Sequence, residues 1–494
     1  MMKKLIKLLS VLLSCVMLLS LFLPGVRERI VGTYVSVVTW ASGFAERFEL
    51  DTVFGGDEDD GDEEGGQNNG GGESGAESGQ NPADNGQKPS ENQQKPANNI
   101  TIVEKDEDLS AALMQAIANR HEEIDVSELG YNPDVLKEEV SRFFFSNPSL
   151  FYVNNAFSYY KQEGSTKVKS VALSYLYDEA TSAQMSNEYE QMLTQIAAGI
   201  PSGASEFDKV LYLHDYLVKN YEYDYEGLKA EMATGNSVAI RDAYTFFKEG
   251  RGVCQAYMLA MMALCEKVGI ESLPVVSDEL MHAWNLVKVD GAWYHVDVTW
   301  DDAGDADSAV YPSYVSYQYF LLSDQALYNG SASRKPRTQA WETTVRAQSN
   351  SYDLANWHEA TTPMVKLGED YYCVLYDKTH KTAQLYCGEK ASMQAVATFE
   401  NEKWYSGPSS YYTNVWAGIL AWNGDLVIST NKEFYRYDVK NATLTKLADL
   451  SDALGDKQIF GICGVDDAGV ITYVAAKDYK GNYEQRTWQL PAVG

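Results

Sequence analysis

The sequence predicts an α+β protein: a mixed α and β module, then a core of one helix packed on an antiparallel sheet, then an all-β domain. Three observations predict it. Residues 100 to 205 interleave helical apolar spacing with one alternating run. An Asp290-Gly291 pair divides two alternating apolar runs, shortly after a strongly apolar helical stretch. From residue 350 the apolar period shortens to two.

The first 99 residues stand apart. Lys3, Lys4 and Lys7 precede an apolar run from Leu8 to Leu23, the pattern of a positive n-region and an h-region. No small-x-small cleavage site follows directly, and Gly43-Phe44-Ala45 lies far from the run. Residues 1–50 are therefore expected to hold an uncleaved signal anchor with its N-terminus inside and a surface-lying segment from Ile30 to Ala45. A cleaved leader would instead give a secreted protein. Leu12-Leu13-Ser14-Cys15 loosely resembles a lipobox, but Leu13 and the apolar run beyond Cys15 speak against lipidation. Residues 51–99 are acidic, rich in Gly, Asn, Gln and Ser, and nearly without apolar groups. Such a segment cannot bury enough surface to offset ordering entropy, so it reads as a disordered spacer between the membrane and the rest of the chain.

In residues 100–205, DLSAALMQAIANRH is helical, with Asp108 or Ser110 as start signals. VLKEEVSRFFFSNPSLFYV predicts a helix broken at Asn147-Pro148 and then a strand. Ser170 to Tyr177 alternates as a strand, and SAQMSNEYEQMLTQIAAGI is a third helix. This module reads as either a structural spacer or a substrate-recognition element.

The next part, residues 206–345, opens with two helical runs, EFDKVLYLHDYLVKNY and SVAIRDAYTFFKEG. A Gly250-Arg251-Gly252 loop then delivers Cys254 to the start of a helix that stops at Gly269, a favoured C′ residue. A thiol at a helix N-terminus is biased towards thiolate, and the free N–H groups there can bind an oxyanion. Val275 to Asp278 reads as a strand leading into the hairpin. Asp-Gly between alternating runs marks a type I′ turn, because both central residues need positive φ. With those two as the loop, Val289 pairs with Ala292, Trp284 with Asp297 and His282 with Thr299. His282 and Asp297 then become diagonal neighbours on one face, roughly 7–8 Å apart at the backbone and within reach of an imidazole. Cys254, His282 and Asp297 form a Cys-His-Asp set: the His lowers the thiol pKa and carries its proton, and the Asp orients the His.

The runs GRGVCQAY, HAWNLVKVDGAWYHVD and VTWDD resemble the core of the bacterial transglutaminase-like superfamily, over roughly residues 206 to 302. The resemblance implies a papain-like fold, with Cys254 as nucleophile, His282 as general base and Asp297 as orienting carboxylate. It also implies thiol acyl chemistry on amides, and it leaves hydrolysis and amine transfer both open.

Rival readings attach to neighbouring residues. His295 shares the face of Asp297 and competes with His282 as the base. Cys265, lower on the same helix, reads as a buried thiol. His214 reads as packed or capping. Asp301, Asp302, Asp305 and Asp307 read as a solvated loop, since no calcium-loop pattern follows. Tyr244 and Gln255 are candidates for the second oxyanion donor. Trp284, Trp300 and the tyrosines Tyr311, Tyr314, Tyr317 and Tyr319 read as the wall that excludes water.

Residues 350–494 contain three strand-turn-strand units starting near 371, 424 and 469, at about propeller-blade spacing. Three units cannot close a propeller by the usual blade counts, so a sandwich or a partial blade-like array is expected. Cys373 and Cys387 could face each other across the first unit.

The formal net charge of −30 argues against nucleic acid and against anionic lipid surfaces. Expected partners are a peptide or protein substrate, with a cell-wall peptide suggested by location alone, and the membrane through the N-terminal segment. No cofactor is expected, and no His, Cys and Asp spacing suggests a metal site. The competing function is a non-catalytic surface protein that binds wall or host protein.

Overall fold

The computed structural model describes residues 100–102, 108–155, 157–161, 164–234, 240–277, 280–302, 314–330, 345–360, 362–377, 382–400, 404–405, 411–412, 418–477 and 483–491. The leader, the acidic spacer, Asp305, Asp307 and Tyr311 lie outside them. Among the described residues no helix is long and apolar enough to cross a membrane.

The first module carries β1 (Ile100–Ile102), α1 (Leu109–Ala118), β2 (Glu123–Asp125), α2 (Pro133–Phe145), β3 (Ser158–Lys161) and β4 (Val168–Ala172). Its sheet runs β1-β2-β4-β3, with β1 and β2 parallel and the other pairs antiparallel. Asp108 is the residue that caps α1, accepting from the Ser110 N–H at 3.0 Å. Asn132 caps α2 with Pro133 next, a fixed φ that suits a first helical turn. Leu113, Ile124, Val140 and Val171 are fully buried in a core of this module. Beyond Pro148 the expected strand is missing: the chain makes a 3-10 turn, and only Val153 bridges to Tyr175. Pro148 opens that turn, and the Leu150 and Val153 N–H groups donate locally, to Asn147 O at 3.1 Å and Leu150 O at 3.0 Å, instead of to a partner strand.

Next come α3 (Glu179–Ala197), α4 (Glu206–Asn220), β5 (Glu222–Tyr223), α5 (Tyr225–Thr234), α6 (Ala243–Glu249), β6 (Arg251–Gly252), α7 (Cys254–Lys267), β7 (Ser272–Ser277), β8 (His282–Val289), β9 (Ala292–Val296), α8 (Val298–Asp301) and α9 (Asp324–Asn329). A capping box of Ser205 and Asp208 starts α4. The helix in SVAIRDAYTFFKEG is shorter than its periodicity suggests, because Asp242 accepts from the Thr245 N–H and starts it only at Ala243.

One buried core is built around α7. Every residue from Ala256 to Cys265 on it is buried, as expected of a helix that is apolar on all sides. Around it pack Phe207, Leu213 and Leu217 of α4, Phe246 of α6, and Val287 and Val289 of β8. Tyr189, Leu193 and Ile196 of α3 join the same core, as do Trp357, Tyr371 and Cys373 from beyond residue 350. Leu264 is fully buried here, so Leu264→Ala would cost about 2–5 kcal/mol.

The last part is antiparallel throughout. One four-stranded sheet joins β10 (Val365–Leu367), β11 (Asp370–Asp377), β12 (Thr382–Glu389) and β13 (Ser392–Glu400) in sequence order. A short pair, β14 (Trp404–Tyr405) and β15 (Tyr411–Tyr412), follows. A second four-stranded sheet joins β16 (Gly418–Trp422), β17 (Asp425–Ser429), β18 (Glu433–Asp438) and β19 (Thr443–Asp449). A three-stranded sheet of β20 (Gln458–Val465), β21 (Val470–Ala476) and β22 (Glu484–Gln489) ends the chain's described part. The meanders do not close into a barrel or a propeller among the described residues. The Cys373–Cys387 pairing is overturned. Cys373 lies opposite Tyr386 and Cys387 opposite Tyr372, and both thiols are free. An offset of one residue puts the two side chains on opposite faces of the sheet.

Candidate active site

The approach to Cys254 is built from close backbone packing. Gly250 takes φ +77°, ending α6 in the left-handed conformation that favours glycine. Arg251 and Gly252 then bridge in parallel to Glu222 and Tyr223. A Cβ on Gly252 would meet Ala256 Cβ and Phe246 Cδ2 at 2.8 Å, so only glycine fits between α6 and α7. The Val253 N–H donates to Ile240 O at 2.9 Å, and α7 begins at Cys254 with no side chain capping its first turn. The thiol therefore stands at the positive end of a buried helix, which favours its anion.

β7, β8 and β9 form a three-stranded antiparallel sheet against α7. Asp290 and Gly291 both have positive φ (50° and 81°), and Val289 pairs with Ala292 as the turn chemistry requires. The ladder runs only to Asn285–Val296. The expected pairs Trp284–Asp297 and His282–Thr299 do not form, because Asp297 leaves the sheet. It becomes the N-cap of α8, accepting from the Trp300 N–H at 3.1 Å with Oδ1. Its other oxygen, Oδ2, is 2.8 Å from His282 Nε2. His282 opens β8 just after Met281, whose φ of +46° is strained for a non-glycine residue.

The His282–Asp297 contact assigns the Nε2 proton to the carboxylate side. Nδ1 is buried and has no hydrogen bond of ordinary length. Burial alone would lower the imidazole pKa, but the Asp297 carboxylate, reinforced by the nearby Cys254 thiol, holds it above its usual value. Trp284 stacks at 5.7 Å from the His282 ring and Trp300 tilts against it at 5.4 Å, which shields the pair from water. The arrangement supplies a helix-terminal thiol, a basic imidazole nitrogen directed away from a buried carboxylate, and a dry wall. Nucleophilic attack on a carbonyl with proton transfer through the imidazole needs these parts.

His295 is elsewhere engaged. Its Nδ1 accepts from Trp284 Nε1–H at 3.0 Å and its Nε2 faces Asp324 Oδ1 at 3.0 Å. Both nitrogens are therefore committed, and the ring fixes the tryptophan that lies against His282. Tyr244 is turned away from the site: its hydroxyl donates to Glu188 at 2.8 Å and its ring stacks on Phe151. It is not an oxyanion donor in this geometry. Gln255 is half-buried at the start of α7, next to Cys254. Cys265 is fully buried, and burial pushes its thiol up to about 12.

The solvated-loop reading fails for Asp301, which is fully buried. It accepts from the Tyr319 N–H at 3.0 Å and from the Ser316 hydroxyl at 3.1 Å, and it lies 3.2 Å from His214 Nε2. His214 is likewise fully buried, with Nδ1 3.1 Å from Asp215. Burial opposes its charge, but the two carboxylates outweigh this and raise its pKa to about 9. Asp302 receives the hydroxyl of Tyr257 from α7. Asn285, which periodicity cannot distinguish from its apolar neighbours, donates to Met258 O at 3.0 Å and ties β8 to α7. Among the described residues no group of His, Cys, Asp and Glu is arranged to hold a metal ion.

A helix-borne thiol facing a strand-borne histidine is the geometry of a thiol enzyme. Residues 194–298 match the model of the transglutaminase-like superfamily. No curated protein matches the chain. Similar solved structures include a TGase (17% identity over 30% of this chain and 45% of that one, TM-score 0.20). Two others are a candidate cysteine protease from Cytophaga hutchinsonii (15%, 29% and 61%, 0.18) and a candidate protease from Parabacteroides distasonis (15%, 28% and 30%, 0.19). The chain spans less than two thirds of each of these three structures.

Proposed function

We propose that this protein is a surface-tethered thiol enzyme acting on peptide or protein amides, with Cys254 as nucleophile, His282 as general base and Asp297 as orienting carboxylate. The observation that carries the reading is the buried His282–Asp297 contact at 2.8 Å beside a thiol at the first position of α7. Cys254 Sγ attacks the amide carbonyl carbon as His282 Nδ1 takes the thiol proton. That proton passes to the departing nitrogen, which leaves as ammonia or an amine, and an acyl-thioester remains. Water then releases the acid, or a primary amine forms a new amide. Export through the N-terminal segment makes a cell-wall peptide a reasonable substrate, with the acidic spacer holding the enzyme off the membrane.

The test is alkylation of the purified full chain by iodoacetamide across pH, with mass mapping of the labelled cysteine. Reaction at Cys254 well below the free-thiol pKa of roughly 8.5, lost in His282→Ala and retained in His295→Ala, is the expected result. Turnover of glutamine-containing peptides with and without an added primary amine then separates transfer from hydrolysis. If Cys254 reacts as an ordinary thiol, the non-catalytic surface-binding reading replaces this one.

A further inference from the structure

We propose that His214 is a positioning residue: with Asp215 and Asp301 it forms a second buried carboxylate–imidazole relay that holds the turn carrying Asp297, and so the His282 ring, in the geometry that activates Cys254. This rests on the roles proposed above for Cys254, His282 and Asp297.

The relay spans 87 residues of sequence and joins α4 to α8. Asp301 is its anchor. Both its carboxylate oxygens accept from the Tyr319 N–H, at 3.0 and 3.1 Å, and one also takes the Ser316 hydroxyl. Its own N–H donates to Asp297 O at 3.2 Å, and the Asp297 N–H donates to Tyr319 O at 3.0 Å. Asp301 and Asp297 are thus fastened to the same strip of chain at Tyr319, one turn of α8 apart. Trp300, between them, packs edge-on against Tyr319 at 5.1 Å and also against His282. Displacing Asp301 therefore displaces the carboxylate and one of the rings that position the base.

A buried carboxylate needs a counter-charge, and His214 supplies it. The imidazole ring stacks on Tyr317 at 5.4 Å and lies 4.8 Å from the Phe320 ring. Asp215, the other carboxylate on the ring, also accepts from the Tyr317 hydroxyl at 2.9 Å and lies 3.8 Å from Lys219. It is the end nearest water, with 13% of its side chain exposed. Among the described residues, Asp297 and Tyr314 also interact electrostatically with Asp301. Replacing a buried ion pair by apolar side chains of similar volume is often neutral for stability. Such side chains could not hold two separate backbone segments at fixed hydrogen-bond distance, and that is the function assigned to the relay.

The experiment reads the pH midpoint of Cys254 alkylation in the full chain, with circular dichroism as the check on folding. His214→Gln is expected to raise the midpoint by about one unit, which is about tenfold slower labelling at neutral pH. Asp215→Asn, whose amide oxygen can still accept from Tyr317, is expected to shift it less and in the same direction. His214→Gln/Asp301→Asn replaces the charged contact by a neutral amide pair and is expected to bring the midpoint back towards wild type. A folded His214→Gln with the wild-type midpoint overturns the proposal. Should that variant not fold, an unshifted midpoint in Asp215→Asn overturns it instead. An ordinary wild-type midpoint, indifferent to His282→Ala, would mark failure of the active-site reading rather than of the relay.

Discussion

Replacing Asp297 by Asn isolates the charge that faces His282. The substitution keeps side-chain volume, and its amide oxygen can still accept from the Trp300 N–H, so the cap of α8 survives. That cap contributes about 1 kcal/mol, which Asp297→Ala would forfeit and Asp297→Asn should not. What Asn removes is the anion 2.8 Å from Nε2, in a site where both side chains are almost completely shielded from water. A hydrogen bond to a charged group contributes about 1.5–3 kcal/mol, against about 0.5–1.5 for a neutral one. The difference, about 1–2 kcal/mol, falls chiefly on the imidazolium form, because the neutral ring carries no charge for the anion to offset. It corresponds to a drop of about one unit in the imidazole pKa and a tenfold smaller share of the thiolate–imidazolium pair. Iodoacetamide alkylation of Cys254 at neutral pH should therefore slow about tenfold, with its midpoint moving towards the free-thiol value of roughly 8.5. Chemical denaturation should show a loss of less than about 2 kcal/mol. An Asp297→Asn protein labelled at the wild-type rate at every pH would refute the coupling of this carboxylate to the base.

Four further outcomes are expected. Native-state thiol labelling should find Cys254 and the exposed Cys463 but spare Cys265 and Cys373, whose thiols burial pushes up to about 12; labelling of either in folded protein would contradict the packing around α7. His295→Leu should lose about 1–3 kcal/mol by denaturation, because it removes the acceptor that His295 Nδ1 offers the buried Trp284 Nε1–H, and should slow Cys254 labelling less than His282→Ala does. Gly252→Ala should cost about 1–3 kcal/mol from contacts with Ala256 and Phe246 and depress labelling of Cys254, both read on the same sample. His214 has a folded pKa near 9 against 6.5 unfolded, so its contribution is fully present below the unfolded value and lost as pH rises through about 9. Denaturation midpoints should fall over that window by the equivalent of about 3 kcal/mol, and His214→Gln should flatten the decline.

Much of the site is legible in the sequence, because it rests on short-range rules. Positive φ at Asp290 and Gly291 follows from residue type and forces the Val289–Ala292 register. The apolar run after Cys254 can only be a buried helix, and the glycines before it can only be a close turn. These features depend on neighbours a few residues away, so periodicity and turn chemistry reveal them. The same rules mislead where a ladder stops: alternation carries Asp297 into β9, whereas the Trp300 N–H draws it out as a cap.

What only the tertiary structure decided are contacts between groups far apart in sequence. Asp301 looks like one member of an acidic loop, and nothing local announces that His214 will bury it. Tyr244 points to Glu188 because α3 packs beside α6. His295 is excluded as the base by Asp324 and Trp284 rather than by its own position in the strand. Cys373 and Cys387 miss each other by one residue of register, an offset set by the whole hairpin. Residue types and spacings determine which chemistry is available. Burial and charge pairing determine which of several equivalent side chains performs it, because both depend on what other segments bring to the same place.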